Sequence, residues 1–192
     1  MKEEISYRDW HVPYLRDGLS LADALQDMSR VGAREEDIPL MVQLVENPKF
    51  RIPGITLFHG AVGLELHDAI HIILGRGLLP MDEAFTIGFT MGSTGLVSTV
   101  EEKLYSLLAQ YVYPSAYQFS DDDIAVFSNA VRLGHISACQ PLDSFDFSPY
   151  RERPLHELRQ LIGLESELIL AWYRIEQQRY PASPASQRLL DH

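Results

Sequence analysis

The sequence predicts an all-α, single-domain, bundle-like fold. Apolar residues recur at helical spacing, cap residues punctuate them, and no linker, internal repeat or strand-period segment of useful length divides the chain. A chain of 192 residues, 46% hydrophobic and 22% charged, has globular proportions and can bury a substantial core.

The elements follow in order. In GLSLADALQDMSRVG, Ser20 is a cap with Asp23 in the first turn, and Leu21, Ala24, Leu25 and Met28 share one face. In EEDIPLMVQLVENP, acids and Pro39 mark a start and Asn47-Pro48 an end, with KFRIPG as connector. Residues 55–74, ITLFHGAVGLELHDAIHIIL, read as the longest helix, closed by GRGLLP. MDEAFTIGFTMG reads as a shorter helix and GSTGLVS as a loop. Thr99 and Glu102 suggest a capping box for TVEEKLYSLLAQYVY, which stops at Pro114. Ser120 and three aspartates open SDDDIAVFSNAVRLGHIS. Pro154 opens PLHELRQLIGL, and ESELILAWYRIEQQRY follows. The domain is expected to span residues 1–180, with 181–192 a flexible tail.

Charge and composition exclude several functions. A formal net charge of −11 argues against nucleic acid, and against docking on an anionic bilayer by charge alone. A single cysteine, Cys139, suits a reducing compartment and reads as a small buried residue rather than a nucleophile. MKEEISYRDW lacks the pattern of a signal or transit peptide, and no run approaches the length of a membrane span. A soluble, cytoplasmic protein is the expectation.

The chemistry concentrates in HDAIHIILGRGLLPMDE, residues 67–83. At about 100° per residue, His71 lies about 40° round the helix from His67, and Asp68 about 100°. GRGLLP lets the chain reverse, so that Glu83 returns beside His71 from an antiparallel helix. Two imidazoles and two carboxylates from neighbouring helices suit a divalent metal: zinc first, with Mg²⁺, Mn²⁺ and Fe²⁺ also served by this donor set. The alternative is a pair of half-buried histidines hydrogen-bonded to their neighbours. Other segments offer less. GFTMGSTG lacks the spacing of a phosphate cradle and reads as close helix packing or a helix end. Asp121-Asp122-Asp123 reads as a helix N-terminus, His59 as packed or supporting the site, and His135 and His156 carry no pattern.

HDAIH, eleven residues and Glu83 together resemble the His-Asp-x-x-His…Glu signature of the coenzyme Q (ubiquinone) biosynthesis protein 4 family. PLHELRQLIGL, residues 154–164, is similar to that family's Pro-Leu-x-Glu-Leu-Arg…Leu-Gly-Ile segment, and the likeness covers roughly residues 55–164. GLELHD departs from the family in carrying no arginine before the histidines. The resemblance implies a helical protein with a divalent metal, usually zinc, held by His67, Asp68, His71 and Glu83. It implies binding of the isoprenoid tail of a prenylated quinone precursor and organisation of other ubiquinone-biosynthesis proteins at the inner membrane surface. A homodimer is a further expected state. It also implies oxidative removal of the carboxyl group from ring C1, for which Asp68 is the expected catalytic proton carrier. Gly60, Gly63, Gly75 and Gly77, with the apolar Ile70, Ile73 and Leu74, are expected to leave room for the tail.

Two other classes stay open. A non-catalytic isoprenoid-binding scaffold would use the metal only to pin two helices. A metal-dependent hydrolase fits less well: an HD-type phosphohydrolase needs an upstream His on a separate helix, and a zincin needs Glu where Asp68 stands.

Overall fold

Ser20 holds extended backbone while its hydroxyl accepts the Asp23 N–H at 3.1 Å, and helix α1 (Leu21–Met28) starts at that cap. The computed structural model describes residues 9–31 and 58–191, and it is all-α as expected. After α1 come α2 (Leu64–Leu74), α3 (Pro80–Ser93), α4 (Thr99–Leu107), α5 (Asp121–Ile136), α6 (Leu155–Leu161), α7 (Ser166–Arg179) and the short α8 (Pro184–Gln187). A π-helical turn, Leu108–Val112, extends α4 before Pro114 stops it. No strand forms among the described residues, beyond one isolated bridge between Ser20 and Pro154. The predicted EEDIPLMVQLVENP helix, its connector and residues 55–57 lie outside the described residues.

Three boundaries differ from the expectation. The helix expected over residues 55–74 begins only at Leu64. Gly60 sits at φ 81°, in the left-handed region, and breaks the helix register, so residues 58–63 form a turn and Gly63 caps α2. The segment expected to be shorter, α3, is therefore the longer of the two, at 14 residues against 11. At α4 the cap is Ser98, whose hydroxyl accepts the Glu101 N–H at 3.2 Å, one residue ahead of the predicted Thr99–Glu102 box. The C-terminal segment expected to be loose is packed: Ala185, Ser186 and Leu189 are buried. Its apolar residues find the main core, where their burial offsets the entropy of ordering them.

Two aromatic-rich cores share helices α3 and α5. Phe85, Phe89, Leu158, Ile169 and Tyr173 belong to the larger, and Phe58, Met91, Tyr105 and Phe127 to the smaller. Both depend on the close approach of α3 and α5. A Cβ on Gly92 would lie 2.1 Å from the Val131 carbonyl oxygen, and one on Gly134 2.4 Å from that of Phe89. GFTMGSTG is thus a packing segment, closed by Gly95 at φ 67°. Gly92→Ala should force the two helices apart and destabilise the fold by about 2–3 kcal/mol. Gly18→Ala, with open space around it, should stay within about 0.5 kcal/mol. Thermal unfolding of the two variants checks this, and equal melting temperatures would refute the packing role.

Candidate metal centre

His67 and His71 stand one turn apart on α2, and α2 ends four residues later at Gly75, whose left-handed φ of 66° turns the chain out of the helix. Residues 76–79 form an elbow, Pro80 starts α3, and Glu83 lies in the first turn of α3. A carboxylate there is favoured by the unpaired N–H groups of the helix start. The elbow brings Glu83 back against α2, as the spacing predicted.

Three of the four expected residues meet. Glu83 Oε2 lies 2.9 Å from His67 Nε2 and 3.3 Å from His71 Nε2, and the two Nε2 atoms are 2.9 Å apart. His71 is fully buried, while the His67 and Glu83 side chains keep 19% and 32% exposure, so the group is partly reached by solvent. Asp68 is not brought into this group: only His67, His71 and Glu83 offer ligand atoms within 4.8 Å of one another. Its carboxyl is part-buried, and burial pushes it above the usual range against the pull of His67 and His71. Burial alone would raise Glu83 too, but the charges and hydrogen bonds of His71 and His67 hold it well below the usual carboxylate range.

Hydrogen bonding cannot satisfy all three sides of this triangle. A carboxylate only accepts, and an imidazole nitrogen either donates or accepts. If both histidines donate to Glu83, their N–H groups face each other across 2.9 Å. If one histidine donates to the other, the acceptor nitrogen sets its lone pair against the carboxylate. A cation satisfies all three lone pairs together. The edges also fit one: their circumscribed circle has a radius of about 1.8 Å, shorter than the ~2.0–2.2 Å of zinc–nitrogen and zinc–oxygen bonds. The three donor atoms would therefore be within bonding reach of one ion at once.

Thr86, three residues after Glu83 on the same face of α3, supplies a support that the sequence reading missed. Its buried hydroxyl lies 3.3 Å from His71 Nδ1. With Nε2 kept for a ligand bond, Nδ1–H donates to this oxygen and fixes the tautomer and ring plane. The i+3 spacing from Glu83 was the available signal.

Other candidates take structural roles. His59 precedes α2 in the turn rather than riding on it, as the sequence reading had supposed, and its Nδ1 contacts Glu101 at 3.0 Å. Asp123 completes a capping box with Ser120, and His156 Nδ1 contacts the Asp17 carbonyl. Burial pushes the Cys139 thiol up to about 12, as befits an inert buried residue. The glycines and apolar residues expected to leave tail space are filled from within. Ile70, Ile73 and Leu74 are fully buried in the core, Gly60 abuts Met91, Gly75 abuts Tyr14, and Gly77 abuts Arg188. Only Gly63 of that set has open space beside it.

The chain matches no family model, no curated protein and no solved structure. The geometry itself makes a graded prediction. His71→Ala should reduce divalent metal in the purified protein to near zero, whereas Asp68→Asn should keep occupancy close to that of the unaltered chain. Elemental mass spectrometry on both variants decides, and full occupancy in His71→Ala would refute the site.

Proposed function

We propose that the chain binds one divalent ion through His67, His71 and Glu83 and acts in ubiquinone synthesis on a prenylated ring precursor, releasing its C1 carboxyl group as CO2 and leaving a hydroxyl there, with dioxygen as the external oxidant. One observation carries this reading. His67, His71 and Glu83 of the resembling motif bring three donor atoms within 4.8 Å of one another, which supports the reading.

Three protein ligands suit a catalyst better than a structural pin, because a closed structural site takes all its ligands from the protein. Two histidines and one carboxylate are a donor set used by zinc hydrolases and by iron oxygenases alike, and the second use fits an oxidative reaction. When bound, the ion would polarise an oxygen of the ring head group. Asp68, beside the cluster but outside its ligand set, is the residue left to carry a proton. The prenyl tail, the ubiquinone pathway and contact with a membrane surface rest on the resemblance. No helix among the described residues is long and apolar enough to cross a membrane, so that contact would be peripheral.

Two measurements test the reading. The purified protein should carry metal and extractable prenyl lipid together, and metal without prenyl ligand would count heavily against the substrate. In a strain lacking the gene, Asp68→Asn should fold and retain metal yet leave ubiquinone synthesis unrestored, with a ring-carboxylated precursor accumulating. Full restoration by that variant would favour a scaffold whose metal only pins α2 to α3.

A further inference from the structure

Residues 76–79 set the distance between the two histidines on α2 and the glutamate on α3, and the far end of the chain crosses them. Arg188 Nη2 donates to Asp82 Oδ2 at 2.7 Å, with Asp82 fully buried and Arg188 13% exposed. The same carboxylate oxygen accepts the Leu79 N–H at 3.2 Å, which caps α3 one residue ahead of Glu83. Gly77 makes the passage possible: a Cβ there would lie 2.0 Å from Arg188 Nη2. The contact is reinforced on both sides. Ser186 Oγ lies 3.0 Å from Met81 Sδ and 3.2 Å from Glu176 Oε1, to either of which its one proton can be donated, and Ala185 and Leu189 are buried.

We infer that residues 184–189 are a latch for the metal centre, in which Arg188 is a positioning residue that holds Asp82, and through it Glu83, in register with His67 and His71. The inference rests on the metal reading above. It adds that a segment about a hundred positions downstream in sequence sets ligand geometry through Asp82. Outer contacts that orient a ligand typically alter metal affinity about 10–100-fold.

The test compares Arg188→Ala, Arg188→Lys and a control, Leu155→Ala, which opens a core position on α6 while leaving Arg188 and Asp82 in place. Cobalt(II) serves as probe, because its visible spectrum reports coordination geometry as well as occupancy. Arg188→Ala should bind cobalt about 10-fold more weakly or worse and with an altered spectrum, and Arg188→Lys, which keeps a cation for Asp82, should recover part of both. Leu155→Ala should melt earlier yet bind cobalt as the unaltered chain does. Unchanged affinity and spectrum in Arg188→Ala would overturn the latch, as would an equal loss in the core control. Diethyl pyrocarbonate labelling of the metal-free proteins, mapped by mass spectrometry, gives a readout independent of metal. His71 should be protected in the unaltered chain and reactive in Arg188→Ala. An unaltered chain that takes up no cobalt, with this labelling difference present, would refute the metal and leave the latch standing; no labelling difference would refute the latch.

Discussion

A buried guanidinium is tolerated only where its charge and donors are met by protein, and the elbow between α2 and α3 is built around that constraint. Arg76 has no exposed surface. Its two terminal nitrogens grip Glu176 at 2.8 and 2.7 Å, its Nε donates to Tyr173 at 3.2 Å, and its plane lies 3.7 Å from the Phe85 ring centroid. Asp82 adds a second carboxylate at 3.9 Å. Because α3 supplies Phe85 and Asp82 while α7 supplies Glu176 and Tyr173, one side chain on the elbow fixes the packing of both helices. Removing either member of such a pair leaves a buried charge and typically costs about 3–5 kcal/mol. The elbow is therefore firmly fixed, and the candidate ligands are carried on its two arms.

A second buried guanidinium, Arg159, holds the C-terminal end of α2 through backbone carbonyls rather than a carboxylate. Arg159 donates to the carbonyl oxygens of Ile73 and Tyr14 at 2.9 and 2.7 Å, and its guanidinium lies 3.7 Å from the Tyr14 ring centroid. Tyr173 donates to the carbonyl of Leu74. Carbonyls at a helix C-terminus lack partners within the helix, and a cation there also complements the helix dipole. Arg159 belongs to PLHELRQLIGL, the second segment that resembles the ubiquinone-biosynthesis family, so the two resembling segments meet physically at α2. One carries the candidate ligands, and the other anchors the end of the helix that bears them.

What was legible in the sequence was local. Ser20, Ser120 and Pro154 mark real helix starts because a cap acts over three or four residues, and His67, His71 and Glu83 converge because helix periodicity and one elbow determine their meeting. What was not legible was either conformational or distant. Gly60 adopts a left-handed φ because the chain passes against the backbone of Met91, and nothing in ITLFHGAVG announces that neighbour. Arg76 and Glu176 are separated by 100 positions, and Asp82 and Arg188 by 106, so GRGLLP reads as a mere turn and the C-terminal segment as a loose end. The glycines misled for the same reason. Their small volume does leave space, but Tyr14 and Arg188 occupy it.

The separation of Asp68 from the ligand group follows from helix geometry. Ligands from two packed helices converge only where the two faces meet, and a face admits residues within a narrow arc. His71 lies about 40° round from His67 and shares that arc; Asp68, about 100° round, leaves it. Adjacent residues on a helix thus point to different neighbours even when a sequence motif writes them as a pair. Glu83 then takes the place beside the histidines that a four-ligand reading would have shared with Asp68. A fourth protein ligand would have closed the site. With Asp68 turned aside, its carboxyl still feels the charges of His67, His71 and Glu83 without joining their cluster.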